Sequence, residues 1–330
     1  MALPEFRLPA VLRQPSRPVV VIAVLSVLAL AAIACFMLVG ARGNWGFVLP
    51  FRGAKLLGLV LVGYSIAVST VLFQTVTNNR ILTPAIMGFD TLFLLIQTLI
   101  VFFFTSATLA TVDARLQFLV EVVAMIGFSV LLFRWLFIGG ERSLHLMVLV
   151  GIVFGVLFRS LSNLMQRMMD PNEFMVLQDS FFASFNTIDR TLLGISTLIV
   201  VAASIALLRL YRMLDVLSLG RAAAIGLGVE YRATVMKVLV IMAVLVSVST
   251  ALVGPVTFFG LLVASLAHAL AGDGRHRYVL PISILVAIIC LVGGQTIMER
   301  VFAFGTALSI IIEFLGGLVF IFLILRGAAR

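Results

Sequence analysis

The chain alternates long apolar runs with short polar breaks. Ten runs stand out: Val19–Gly40, Leu56–Thr77, Thr91–Phe104, Phe118–Ile138, Leu144–Met168, Thr191–Leu210, Thr234–Val253, Phe258–Ala271, Val279–Met298 and Ala307–Leu325. Most reach about 20 residues, the helical length that crosses about 30 Å of hydrocarbon. The third and eighth are shorter, as in segments that tilt or lie partly behind their neighbours. The runs are continuous rather than alternating in steps of two, which excludes a transmembrane β-barrel. The pattern predicts an all-α polytopic membrane protein. It has about ten transmembrane helices in a single domain spanning residues 1–330.

Two polar breaks are long enough to hold structure. Asp170–Arg190 carries Asp170, Glu173, Asp179 and Asp189 and has room for a short surface helix over Asn172–Phe182. Leu210–Arg232 is a basic island, read as two short helical pieces broken at Gly220 and closed at Gly228. Asp215 is placed to cap the first piece. Gly220 permits a sharp turn, and Gly228 ends the second piece. Leu219, Ala222, Ala223, Ala224 and Leu227 supply a small apolar face beside Arg221. On these residues alone the island is either a docking knob or an ordinary basic loop.

Composition supports the membrane reading. Residues are 62% hydrophobic and 11% charged, against about 25% charged in a soluble domain. The net charge of +9 need not mean nucleic acid, because cytoplasmic loops of membrane proteins carry excess Lys and Arg. With the N-terminus inside, fifteen Lys and Arg fall inside and seven outside. Both termini and the island are then cytoplasmic. Arg7, Arg13 and Arg17 precede the first run as in a signal peptide. In that run no small-x-small cleavage site stands out, so it reads as a retained span.

Catalytic chemistry is not visible. There is no GxxxxGK[ST] loop, no HExxH and no Gly-x-Ser-x-Gly. Leu291-Val292-Gly293-Gly294-Gln295 looks like an ATPase signature but lies inside the ninth run, where small residues serve helix packing. His145, His268 and His276 are scattered, and Cys35 and Cys290 sit in separate spans. No catalytic residue, metal site or cofactor is expected.

Three sets of polar residues remain. Arg52, Lys55 and Arg300 fall outside, against the positive-inside trend; they either anchor at the interface or meet a partner. Arg159, Asn163 and Gln166 share one face of the fifth run by their i, i+4, i+7 spacing. Intramembrane polar residues usually face a bundle interior or water, although Arg159 could instead snorkel outward. Glu121 and Glu313 are the only acids well inside runs, Glu121 close to an interface. Gly151-x-x-x-Gly155 predicts close helix packing.

Several stretches resemble one family. Asn79-Arg80-Ile81-Leu82-Thr83-Pro84-Ala85-Ile86-Met87-Gly88 keeps its Asn, Pro and Gly spacing, and the wording NNRILTPAIMGFD is similar to a subgroup that pairs with a second permease. Gly254-Pro255-Val256-Thr257-Phe258-Phe259-Gly260-Leu261 resembles its most recognisable motif, and Asp273–Pro281 the loop after it. The family is the FecCD-type permeases of ABC importers for ferric siderophores, haem and vitamin B12. The chain departs from it at Ala264-Ser265, where Pro-His is usual, and at Arg221, where an acid is common.

The resemblance implies a vitamin B12 permease-like fold and a bacterial inner-membrane location. It implies a homologous permease as heterodimer partner, a separate ATP-binding cassette ATPase, and an extracytoplasmic siderophore-binding protein. The island (210–232) becomes the coupling loop that sits in the ATPase groove through Asp215, Leu219, Gly220, Arg221, Ala222, Leu227 and Gly228. Arg52, Lys55 and Arg300 become cations that meet carboxylates of the binding protein. Arg159, Asn163, Gln166 and Glu313 become walls of the pathway, where Arg159 could attract an anionic ferric chelate. A haem or vitamin B12 permease is the near alternative. An ion-coupled secondary carrier is the distant one.

Overall fold

A computed structural model describes residues 17–40, 45–109, 113–137, 144–186, 188–301 and 307–325. Arg7, Arg13, Arg42, Arg142, Arg326 and Arg330, used in the charge count, lie outside the described residues. The helices are α1 (Arg17–Leu38), α2 (Trp45–Thr77), α3 (Phe89–Leu109), α4 (Ala114–Phe137), α5 (Leu144–Met168) and α6 (Pro171–Asp179). There follow α7 (Arg190–Leu217), α8 (Arg221–Gly226), α9 (Tyr231–Val253), α10 (Phe259–Ala271), α11 (His276–Arg300) and α12 (Leu308–Leu325). Seven of them (α1, α2, α4, α5, α7, α9 and α11) are long and apolar enough to cross a membrane. The apolar parts of α3, α10 and α12 are shorter. Together they correspond to the ten runs.

The bundle is organised around α9. Leu239, Met242, Leu245 and Val248 are fully buried there, as expected of a helix apolar on all sides. It packs against α2, α4 and α7, while α11 packs against α1, α2 and α10. In contrast, α7 buries one stripe: Leu193, Ser196, Val200, Ala203, Leu207, Leu210, Leu214 and Leu217. Those steps of three and four keep one face toward the bundle. Leu198 and Leu208 on the other side are exposed, the arrangement a lipid-facing helix needs.

The stripe continues past Leu210, so α7 runs unbroken to Leu217. This corrects the expectation of two short pieces in the basic island: the first piece is the end of α7. The short helix in the acidic break forms as α6, with the Asp170 carboxylate accepting from the Asn172 N–H at 2.8 Å. Asp189 starts α7 in the same way, accepting from Thr191 and Leu192. The Leu192 N–H holds its carboxyl below the usual range.

Between α2 and α3 the chain makes a 3-10 turn at Pro84–Met87, closed by Gly88 at φ 91°. The Gly151-x-x-x-Gly155 pair does permit a close approach, but mainly to this turn. A Cβ at Gly151 would meet the Met87 backbone at 3.1 Å, and one at Gly155 the Gly88 Cα at 3.3 Å. Irregular backbone inside a membrane bundle is tolerated where protein covers it, and α5 covers it here.

Candidate functional site: a docking knob, an outer cation cluster and a polar wall

The basic island forms a compact projection at one end of the bundle. Gly220, at φ 90°, turns the chain out of α7 and starts α8. Gly228, at φ 82°, closes it: its N–H donates to the Ile225 carbonyl at 2.9 Å and Val229 N–H to Ala224 at 3.0 Å. This pair of bonds is the Schellman closure that a left-handed glycine permits. Ala224 is fully buried, so it belongs to the inner face rather than the predicted docking face. The outer face presents Leu219, Ile225 and Leu227, exposed by 62%, 52% and 64%. Ala222 and Arg221 are exposed beside them. Ile225 was missed because the alanine run drew the pattern to its neighbours.

Asp215 does not cap a helix in the island. Its Oδ1 accepts from the His276 backbone N–H at 2.8 Å and pairs with His276 Nδ1 at 2.6 Å. It therefore caps the start of α11 from across the bundle. The far ring nitrogen, His276 Nε2, lies 2.7 Å from Thr75 Oγ1 on α2. The root of the projection is thus tied to two further helices. A displacement of α8 would be carried into α7, α11 and α2 rather than absorbed by a slack loop.

Arg52, Lys55 and Arg300 meet at the opposite end of the bundle. Arg52 Nη1 donates to the carbonyls of Phe36, Met37 and Val39 at 2.9–3.0 Å, and its Nη2 to Gly40. Arg300 donates to the Val39 carbonyl at 2.6 Å. Both guanidiniums satisfy the last carbonyls of α1, a favourable place for a cation. Lys55 differs. It is 7% exposed and forms a 2.8 Å ion pair with Glu299 Oε1. Its ammonium also donates to Asn186 Oδ1 at 2.9 Å, and Gln295 bonds both Asn186 and Glu299. Lys55 is thus buried, whereas Arg52 is half-buried and Arg300 exposed. The three cations line a cavity of about 380 Å³ together with Phe36, Phe51, Asn186 and Glu299.

The residues expected to form a polar wall lie on α5 and α12. Arg159, Asn163 and Glu313 are exposed, and Gln166 is half-buried, donating to Thr98 Oγ1 at 3.2 Å. Arg159 and Glu313 come from distant parts of the chain, yet both lie within electrostatic reach of the same residue, Asp90. Asp90 was absorbed into the motif and not recognised as a buried acid; the structure buries it to 8% exposure. Glu121 is also buried. It accepts from Gln97 at 2.7 Å and Gln117 at 2.9 Å, binding α3 to α4. Around the polar residues, α5 exposes Val153, Val156 and Leu164, and α12 exposes Phe314, Leu318 and Phe322. Nothing among the described residues groups three metal-ligating side chains.

Known proteins share this plan. The petrobactin import system permease protein YclO of Bacillus subtilis is 47% identical over 92% of this chain and 96% of its own length. The petrobactin import system permease protein FatC of Bacillus anthracis is 36% identical over 84% of this chain and 78% of its own. Among solved structures, a metal-chelate type ABC transporter in an inward-facing conformation superposes with a TM-score of 0.82. It covers 94% of this chain and 99% of its own at 22% identity, which shows the fold. The FecCD transport family matches residues 18–326. A transporter subunit rather than an enzyme, the chain belongs to the FecCD transport family.

Proposed function

We propose that the chain is the permease subunit of an ABC importer that moves a ferric siderophore across the bacterial inner membrane. The observation that carries this reading is the exposed apolar projection at Leu219–Gly228, rooted in helices α7, α11 and α2. A carrier driven by an ion gradient has no need of such a part. An importer driven by a separate ATPase requires a rigid point of force transfer, because this chain has no phosphate-binding loop of its own. The relatives named for petrobactin import support an iron chelate as cargo.

In this reading residues 1–330 act as one permease unit, with both termini and the 210–232 loop on the cytoplasmic side. A homologous permease packs against the exposed α5 and α12 faces, so that Arg159, Asn163, Gln166 and Glu313 line a shared path. Arg159 attracts the anionic chelate as it enters. Arg52 and Arg300 meet carboxylates of an extracytoplasmic binding protein, which sets register and association rate more than affinity.

Deletion of this gene and growth under iron limitation on a panel of ferric siderophores tests the proposal. Growth is expected to fail on at least one chelate and to return with the plasmid-borne gene. Unchanged growth on every chelate would count against the cargo. The same strain tests docking. Arg300→Glu is expected to restore growth only at about tenfold higher chelate, with binding-protein affinity most reduced at low salt. Full restoration at low chelate would remove Arg300 from the docking surface.

A further inference from the structure

Asp90 stands in the first turn of α3, with a carboxylate that its surroundings do not fully satisfy. Its Oδ2 is buried and has no hydrogen-bond partner. Asp90 borders a cavity of about 30 Å³, shared with Ser69 and Thr70 of α2, Thr83 before the 3-10 turn, and Ser249 and Thr250 of α9. That volume is close to the share of one water molecule in the liquid. It admits a single small guest.

The lining decides which guest. Ser69 Oγ already donates to the Ile66 carbonyl at 3.1 Å, and Ser249 Oγ to Val246 at 2.9 Å. With those protons engaged, both oxygens can offer the cavity only lone pairs. Ser249 and Thr250 lie in the last turns of α9, which ends at Val253, so the negative pole of that helix is nearby. Beyond the cavity, Arg159 and Glu313 lie within electrostatic reach of Asp90. Gly260 completes the wall, where any side chain would run into the Thr70 hydroxyl.

We infer that this cavity binds one sodium ion, held by the Asp90 carboxylate and the hydroxyl oxygens of α2 and α9. Hard cations take oxygen ligands of this kind. A divalent ion usually collects more than one carboxylate, whereas one carboxylate matches one unit charge. In that site the carboxylate and hydroxyl oxygens replace part of the ion's water shell. A bound ion joins α2, α3 and α9 immediately behind the polar wall of α5 and α12. The inference stands on Asp90 and its cavity, and holds whether or not the cargo is a siderophore.

Binding of 22Na+ to the purified full-length chain in detergent tests it, together with thermal unfolding in sodium or choline chloride at equal ionic strength. Saturable binding of one ion is expected, displaced by unlabelled sodium and not by choline. Sodium should raise Tm as a ligand of the folded state does. Asp90→Asn should abolish both effects while keeping the choline Tm. If that variant does not fold, Thr250→Val answers instead, with an expected tenfold weaker affinity for 22Na+. Absence of 22Na+ binding to the unaltered chain would overturn the inference, because the guest is then a water or a proton. So would binding that survives Asp90→Asn unchanged.

Discussion

Replacing Arg221 and Leu227 together with Asp is expected to abolish ATP-driven uptake while leaving the chain folded in the membrane. Leu227 is 64% exposed and Arg221 is exposed, so neither substitution opens a hole in the core. Folding of α8 rests on Gly220, Gly228 and the buried Ala224 instead. Two carboxylates on a small apolar docking face would have to be desolvated on contact. Truncating or mispairing a central interface residue commonly costs about 2 kcal/mol or more, and two such changes together weaken association by roughly a thousandfold. The measurement is uptake and ATP hydrolysis by the assembled transporter. Uptake should fall at least tenfold, with hydrolysis no longer stimulated by loaded binding protein. Normal, coupled uptake would show that force enters elsewhere.

Loss of Lys55 is expected to be the most destabilising single change at the outer end. Its ammonium is the partner of Glu299, and the two side chains are 7% and 10% exposed. Lys55→Met leaves Glu299, and with it the Asn186 and Gln295 bonds, organised around a missing charge. Breaking one side of a buried pair costs about 3–5 kcal/mol. Removing both charges with well-packed apolar residues is often neutral. Lys55→Met should therefore lower Tm by several degrees, and Lys55→Met with Glu299→Leu should recover most of it. A direct docking role for Lys55 predicts the reverse pattern: an unchanged Tm, weaker binding-protein affinity, and no rescue by the second change.

The apolar helices, seven of them long enough to span among the described residues, were readable because hydrocarbon imposes length and apolarity on each segment separately. The turns at Gly220 and Gly228 were readable for a similar reason, since left-handed backbone selects glycine locally. The end of α7 was readable in principle. Leu210, Leu214 and Leu217 extend the buried stripe, but Arg209, Arg212 and Asp215 on other faces suggested that the helix had stopped.

Pairings between distant segments left no such trace. Nothing near Lys55 points to Glu299, 244 positions away, and nothing near Asp215 points to His276. Asp215 was placed by the local rule for helix caps, and the structure keeps the capping chemistry but applies it to α11. The burial of Glu121 and Asp90 left no local trace either, because linear distance from a span end does not measure it. Gln97, Gln117 and the 3-10 turn enclose them only after α3, α4 and α9 have packed.

The proposed driver of this chain is a separate ATPase that acts through the Leu219–Gly228 projection. Uptake of an 55Fe-labelled siderophore that the deletion strain fails to use, into proteoliposomes holding the permease pair, the ATPase and the binding protein, tests it most directly. The account predicts accumulation that requires ATP on the projection side and stops when the ATPase is omitted. Accumulation driven by an ion gradient alone, without ATP or ATPase, would contradict it.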